Sequence, residues 1–143
     1  MSNIDNNCFY CNKNAELDRL MIEICKLKLS TVYLFKDQTF KGRCVVAFPE
    51  HKRELFELSE SDLNVFMNDV AKVAVVLQNL FAPGKINYAI YGDKVSHLHF
   101  HIVPKYETGP HWGEPFHLSS SKKILSQTEY DELIQMIKTS LLA

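Results

Sequence analysis

The chain of 143 residues has little glycine or proline, 5 of each, and a single Trp. Without a repeat, so few chain-breaking residues exclude collagen-like and linker-like sequences. It also lacks an excess of either charge: 16 Lys and Arg stand against 17 Asp and Glu, for a formal net charge of −1. A broad basic surface for nucleic acid and a polybasic membrane anchor are therefore not expected. There is no long apolar run. The longest stretch, near Val70 to Phe81, is broken by Lys72, Gln78 and Asn79, so no membrane span is expected. Met1-Ser-Asn-Ile-Asp has no basic flank leading into an apolar segment, so no signal peptide is expected. The four cysteines, Cys8, Cys11, Cys25 and Cys44, are then expected in the reducing cytoplasm, where structural disulfides are uncommon.

What is present is an ordinary globular composition, 46% apolar and 23% charged. The length predicts one domain over residues 1–143, able to bury roughly two-thirds of its unfolded surface. Short alternating or β-branched segments predict strands after Asp18, over Thr31–Phe35, over Cys44–Phe48, over Ile86–Tyr91 and over Ser96–Val103. Leu63, Phe66, Val70, Val73, Leu77 and Leu80 recur every three or four residues behind Ser59, and Pro83-Gly84 ends the pattern. Ser126-Gln127-Thr128-Glu129 is a capping box that opens a C-terminal helix. The sum is an α+β domain: a five-stranded antiparallel sheet, helices on one side, one long middle helix and a terminal helix.

The segment richest in chemistry is His97-Leu98-His99-Phe100-His101-Ile102-Val103-Pro104. Alternate residues of a strand share a face, so three imidazoles line up opposite Leu98, Phe100 and Ile102. Three readings compete: a half-exposed strand with its polar residues outward, a metal site, or nucleophilic catalysis by a neutral imidazole aided by its neighbours. Strict alternation of a residue that is neither common nor a strand former weighs against the first. Cys8-Phe9-Tyr10-Cys11 reads as half of a zinc site, or else as a buried or redox pair; the bulky spacer is unlike redox motifs. Cys25 and Cys44 read as core residues. Phe48-Pro49-Glu50-His51 places a histidine just after a strand, which matters only if folding carries it to the cysteines.

These residues resemble the histidine triad proteins, whose signature is His-x-His-x-His followed by two apolar residues. The likeness runs from Cys8 to about Phe116. Through Asn87–Asp93, the triad and Trp112-Gly113-Glu114-Pro115-Phe116 it is similar to a bacterial diadenosine tetraphosphate hydrolase-like branch. The resemblance implies a five-stranded antiparallel sheet that usually dimerises, so a homodimer is expected. It implies hydrolysis or transfer of nucleoside monophosphate groups, with dinucleoside polyphosphates or nucleoside phosphoramidates as substrates. By the same resemblance His99 is the nucleophile that forms a nucleotidyl-histidine, and His101 assists with phosphate contacts and protons. Cys8, Cys11, His51 and His97 match the ligands of one structural zinc per chain.

The match has departures. Gly92-Asp93-Lys94 stands where many members have Gly-Gln-Ser/Thr against the phosphate, and the connection from Asn87 to His97 is short. Lys94 is a candidate phosphate contact. Asn87 holds a nucleotide oxygen or caps a turn. Asp37 binds a ribose hydroxyl or its own turn backbone. Trp112 covers a base or joins a dimer contact. His111 and His117 read as ordinary loop residues. The competing functional reading is a nucleotide-binding regulatory module with little or no turnover, motivated by Asp93-Lys94.

Overall fold

The structure is a computed structural model that describes residue 5, residues 7–117 and residues 122–143; Met1 to Ile4, read above for a leader, lie outside the described residues. Five strands form one antiparallel sheet in the order β1-β2-β3-β5-β4: β1 Met21–Lys26, β2 Thr31–Phe35, β3 Cys44–Ala47, β4 Lys85–Ile90 and β5 His99–Lys105. Four α-helices accompany it: α1 Phe9–Asn12, α2 Ala15–Leu20, α3 Glu60–Phe81 and α4 Gln127–Leu142. The α+β class, the five strands and both long helices agree with the expectation.

One face of the sheet carries Val32, Leu34, Cys44, Val46, Phe100 and Ile102, and α3 and α4 pack on it. Ser59 caps α3 by accepting the Asp62 N–H, and Ser126 and Glu129 form a complete capping box on α4. Phe66 of α3 is fully buried and meets the edges of Phe48 and Phe100, with ring centroids at 5.3 and 5.8 Å. Replacing it leaves a ring-sized cavity that this interlocked layer cannot close. Phe66→Ala is expected to lose about 3–5 kcal/mol in denaturant unfolding.

Helices on one side is an incomplete description. The opposite face, with Tyr33, Phe35, Val45 and Ala47, is partly roofed by α1 and α2 through Cys8, Tyr10 and Leu17. That is why β2 and β3 are buried on both faces and read as continuous apolar runs rather than alternation. Helix α2 also delays the first strand to Met21. Asn14 caps it by accepting the Glu16 and Leu17 N–H groups, and Met21 N–H closes the last turn on Leu17.

The predicted strand over Ser96–Val103 is shifted to His99–Lys105. Before His99 the chain leaves the sheet: Leu98 N–H bonds to Lys52 C=O, and Phe48 N–H to Leu98 C=O. His97 therefore sits beside the segment that follows β3. Pro104 lies beyond Ile102, the last β5 residue paired with β3, so its missing N–H removes no bond on that side. Between β2 and β3, Gln38 ties the turn together by donating to Phe35 and Arg43 carbonyls and accepting from Gly42 N–H. Gly42 has φ +92°, and a Cβ there would stand 2.7 Å from the Phe81 ring. Among the described residues no helix is long and apolar enough to cross a membrane.

Candidate active site

The β3–β5 pairing sets Ala47 opposite His99 and Val45 opposite His101. Both imidazoles therefore stand on the face roofed by α1 and α2, and their rings are 5.2 Å apart. His99 Nδ1 lies 2.5 Å from the His97 carbonyl. A carbonyl only accepts, so Nδ1 carries the proton and Nε2 keeps its lone pair. His101 has the opposite tautomer. Arg43 Nη2 lies 3.1 Å from His101 Nδ1, and a guanidinium only donates. His101 therefore bears its proton on Nε2.

Burial lowers the pKa of His99, with the His97 carbonyl opposing that shift. Burial, the Arg43 charge and His99 push His101 down to about 3. Both rings are neutral near pH 7. Tyr10 of α1 stacks obliquely against both His97 and His99, each at 5.1 Å between centroids, and holds them from the roof. A cavity of 430 Å³ opens over the pair, lined by Phe35, Arg43, Tyr91, Lys94, His99 and His101.

Arg43 escaped the sequence reading. It is 4% exposed and its guanidinium lies 4.2 Å from the Phe35 ring centroid and 5.1 Å from that of Phe116. Its Nε has no hydrogen-bond partner among the described residues. Burial lowers its pKa to about 10, which still leaves it charged at neutral pH. A buried cation with an unpartnered donor, lining a cavity beside two neutral imidazoles, has the chemistry to receive an anion. The one available signal was period-two alternation, which puts Arg43 on the face of Val45 and Ala47.

The other predicted contacts divide. Lys94 and Asp93 line the triad cavity. Asn87 and Trp112 line a neighbouring cavity of 580 Å³, which shares Tyr91 and Phe116 with the first. Asp37 lines neither. Its Oδ1 accepts from Thr39 N–H, Thr39 hydroxyl and Lys123 N–H. Burial works to raise its pKa, but those three hydrogen bonds and Arg43 hold it below the usual value.

A second constellation lies behind the triad. Cys8, Cys11, His51 and His97 offer four ligand atoms that all lie within 4.8 Å of one another. Cys8 Sγ is 3.4 Å from His97 Nδ1; Cys11 Sγ is 3.5 Å from His51 Nδ1 and 3.6 Å from His97 Nδ1. Around a tetrahedral zinc ion, with bonds of about 2.3 Å to sulfur and about 2.05 Å to nitrogen, such donors stand about 3.5 Å apart. The outer partners suit ligation as well. His97 Nε2 donates to Phe48 C=O at 2.6 Å, and His51 Nε2 lies 3.6 Å from Asp5 Oδ2. Each leaves Nδ1 for a metal. Burial also pushes His97 down to about 4, against the pull of the Phe48 carbonyl. The cluster could hold a metal ion.

Residues 21–108 match the sequence model of the HIT domain, and the chain belongs to that family, the histidine triad proteins. It is 28% identical over 106 residues to the adenosine 5′-monophosphoramidase of Schizosaccharomyces pombe, covering 69% of this chain and 74% of that one. Its fold superposes on a histidine triad protein from Bradyrhizobium japonicum with a TM-score of 0.82 and 22% identity, covering 90% and 96% of the two chains. It also superposes on a zinc-bound histidine triad family protein from Mycobacterium smegmatis, with a TM-score of 0.66 and 17% identity over 95% and 94%.

Proposed function

We propose that the protein hydrolyses or transfers nucleoside monophosphate groups through a nucleotidyl-histidine on His99. The observation that carries this reading is the pair of opposed tautomers. His99 presents an unprotonated Nε2, and His101 presents an Nε2–H, in one cavity with a buried guanidinium. The lone pair of His99 Nε2 attacks the α-phosphorus; the N–P bond forms as the bond to the leaving group breaks. His101 Nε2–H and Arg43 hold the phosphoryl oxygens as negative charge builds on them. Water then attacks phosphorus, the N–P bond breaks, and nucleoside monophosphate leaves. His101 can deliver a hydrogen bond in this state but no proton at low cost. Leaving groups that depart as anions, such as the phosphate chain of a dinucleoside polyphosphate, suit the site; a phosphoramidate must take its proton from water.

Lys94 serves as a second phosphate contact from the cavity wall, and Asn87 and Trp112 serve the portion of a substrate that extends into the neighbouring cavity. Asp37, which lines neither cavity, serves the turn backbone through Thr39 and Lys123. Cys8, Cys11, His51 and His97 hold one structural zinc, whose closed ligand set supplies rigidity rather than a reactive position. A homodimer is supported by the open edge strand β4, which exposes Tyr88 and Ile90.

The test is to mix the protein with adenosine 5′-phosphoramidate or a diadenosine polyphosphate, follow AMP release and quench for mass analysis. AMP release with one adenylyl group on His99 is expected; binding without AMP release from either substrate would establish the regulatory-module reading, which Asp93 in the cavity wall favours. Arg43→Met keeps the bulk between Phe35 and Phe116 and deletes the charge. It is expected to lower kcat/KM by about 10²–10³-fold, the usual cost of one preorganised oxyanion donor. A steady-state kcat/KM within threefold of the parent would remove Arg43 from the mechanism.

A further inference from the structure

The wall between the two cavities is built by the loop that follows β5, and it carries donors that the proposed reaction does not use. His111, Glu114 and His117 bring three ligand atoms within 4.8 Å of one another. Their spacing, His-x-x-Glu-x-x-His, turns all three toward one point because the loop is bent back on itself. His111 has φ +59° and Gly113 φ +88°, and Glu114 N–H bonds to His111 C=O. The buried Lys105 ammonium reaches the carbonyls of both His111 and Glu114, so the strand end holds the loop from beneath. The rings of His111 and His117 meet edge to face at 3.7 Å between centroids.

We infer that His111, Glu114 and His117 form a site for a divalent transition-metal ion that seats the phosphate chain of a substrate crossing from one cavity to the other. His111 Nδ1 and Glu114 Oε1 are 3.0 Å apart and hydrogen-bonded. Two donors on adjacent corners of an octahedral ion, at about 2.1 Å each, have a separation of about 3.0 Å. An ion replaces that bonding proton with little movement of the pair. The two clusters differ in donor chemistry: the Cys/His cluster offers two thiolates and two imidazoles, this one two imidazoles and a carboxylate. Two imidazoles and a carboxylate suit first-row divalent ions. Three protein donors on six positions leave three for water or phosphate oxygens.

The location supplies the role. Glu114 lines the cavity of Asn87 and Trp112, and His117 lines that of His99 and His101. A substrate with its α-phosphorus at His99 and its far end by Trp112 passes over this ridge. Lys105 spends its charge on backbone carbonyls below the loop, and Glu114 offsets the ion above it. The metal thus distinguishes substrates by whether a phosphate chain follows the α-phosphorus, and that role rests on the reading proposed above.

Titration of the full chain, loaded with one equivalent of zinc and freed of excess zinc, with manganese(II) chloride, followed by the paramagnetic resonance of free Mn(II), should show one Mn(II) bound per chain. His117→Ala and Glu114→Gln should each weaken it by at least about tenfold. Both residues are exposed, so thermal midpoints should stay within about 2 °C of the parent. Equal Mn(II) affinity in parent and His117→Ala, or no saturable binding, overturns the site. With the site occupied, Mn(II) should lower KM for diadenosine tetraphosphate and leave KM for adenosine 5′-phosphoramidate unchanged. Equal effects on both overturn the phosphate-seating role. Saturable Mn(II) binding with no turnover of either nucleotide supports the metal site and removes the proposed enzymatic function.

Discussion

His99→Ala is expected to abolish turnover, with kcat falling by at least about 10⁴-fold, the scale seen when a covalent nucleophile is removed. The argument is geometric. His99 Nδ1–H is committed to the His97 carbonyl, so its Nε2 is the one lone pair the ring can offer. His101 cannot substitute, because Arg43 occupies its Nδ1 and its Nε2 carries a proton. The variant should also lose the adenylyl adduct seen by mass analysis. It should keep its metal and most of its stability, since His99 is outside the Cys/His cluster. If a purified His99→Ala variant, free of contaminating hydrolases, releases AMP at the parent rate, covalent catalysis at His99 is wrong.

Cys8→Ser is expected to lower bound zinc from one per chain to almost none, as read by elemental analysis of dialysed protein. Serine is a poor zinc ligand at neutral pH, and three remaining donors hold the ion far less tightly. The loss should extend to folding. Structural zinc contributes folding free energy directly, and a loss of several kcal/mol corresponds to about 10 °C in Tm for a chain of this size. Activity should fall as well, because His97 is both a member of the cluster and the residue whose carbonyl orients His99. Unchanged zinc content in Cys8→Ser would show that the metal is bound elsewhere; a retained Tm with zinc lost would show that the ion does not support the fold.

These two experiments probe features of different legibility. The alternation through His97–Val103 announced the shared face of His99 and His101 because strand geometry is a local property of two-residue period. Capping at Ser59 and Ser126, and the α3 stripe through Phe66 and Leu77, were equally local. The start of β1 was not, since Asn14 and the Met21 bond to Leu17 hold the chain in a helix up to Leu20, beyond Asp18, after which the strand was expected. The start of β5 was missed for a similar reason. Leu98 pairs with Lys52, far away in the chain, and that contact takes His97 out of the sheet.

The residue types thus determined, on their own, the α+β class, the long helices, the triad and, by resemblance, its family and the set of candidate metal donors. Those depend on periodicity, capping and side-chain chemistry within a few neighbouring positions. Only the tertiary structure decided which histidine has which tautomer, because the deciding partners, the His97 carbonyl and Arg43, are set by the path and pairing of the chain. It alone carried Cys8 and Cys11 to His51 and His97, buried Arg43 with its Nε unbonded among the described residues, and turned two seemingly incidental loop histidines toward Glu114. Convergence of distant side chains depends on sheet order and loop path, and no local spacing in one chain encodes those.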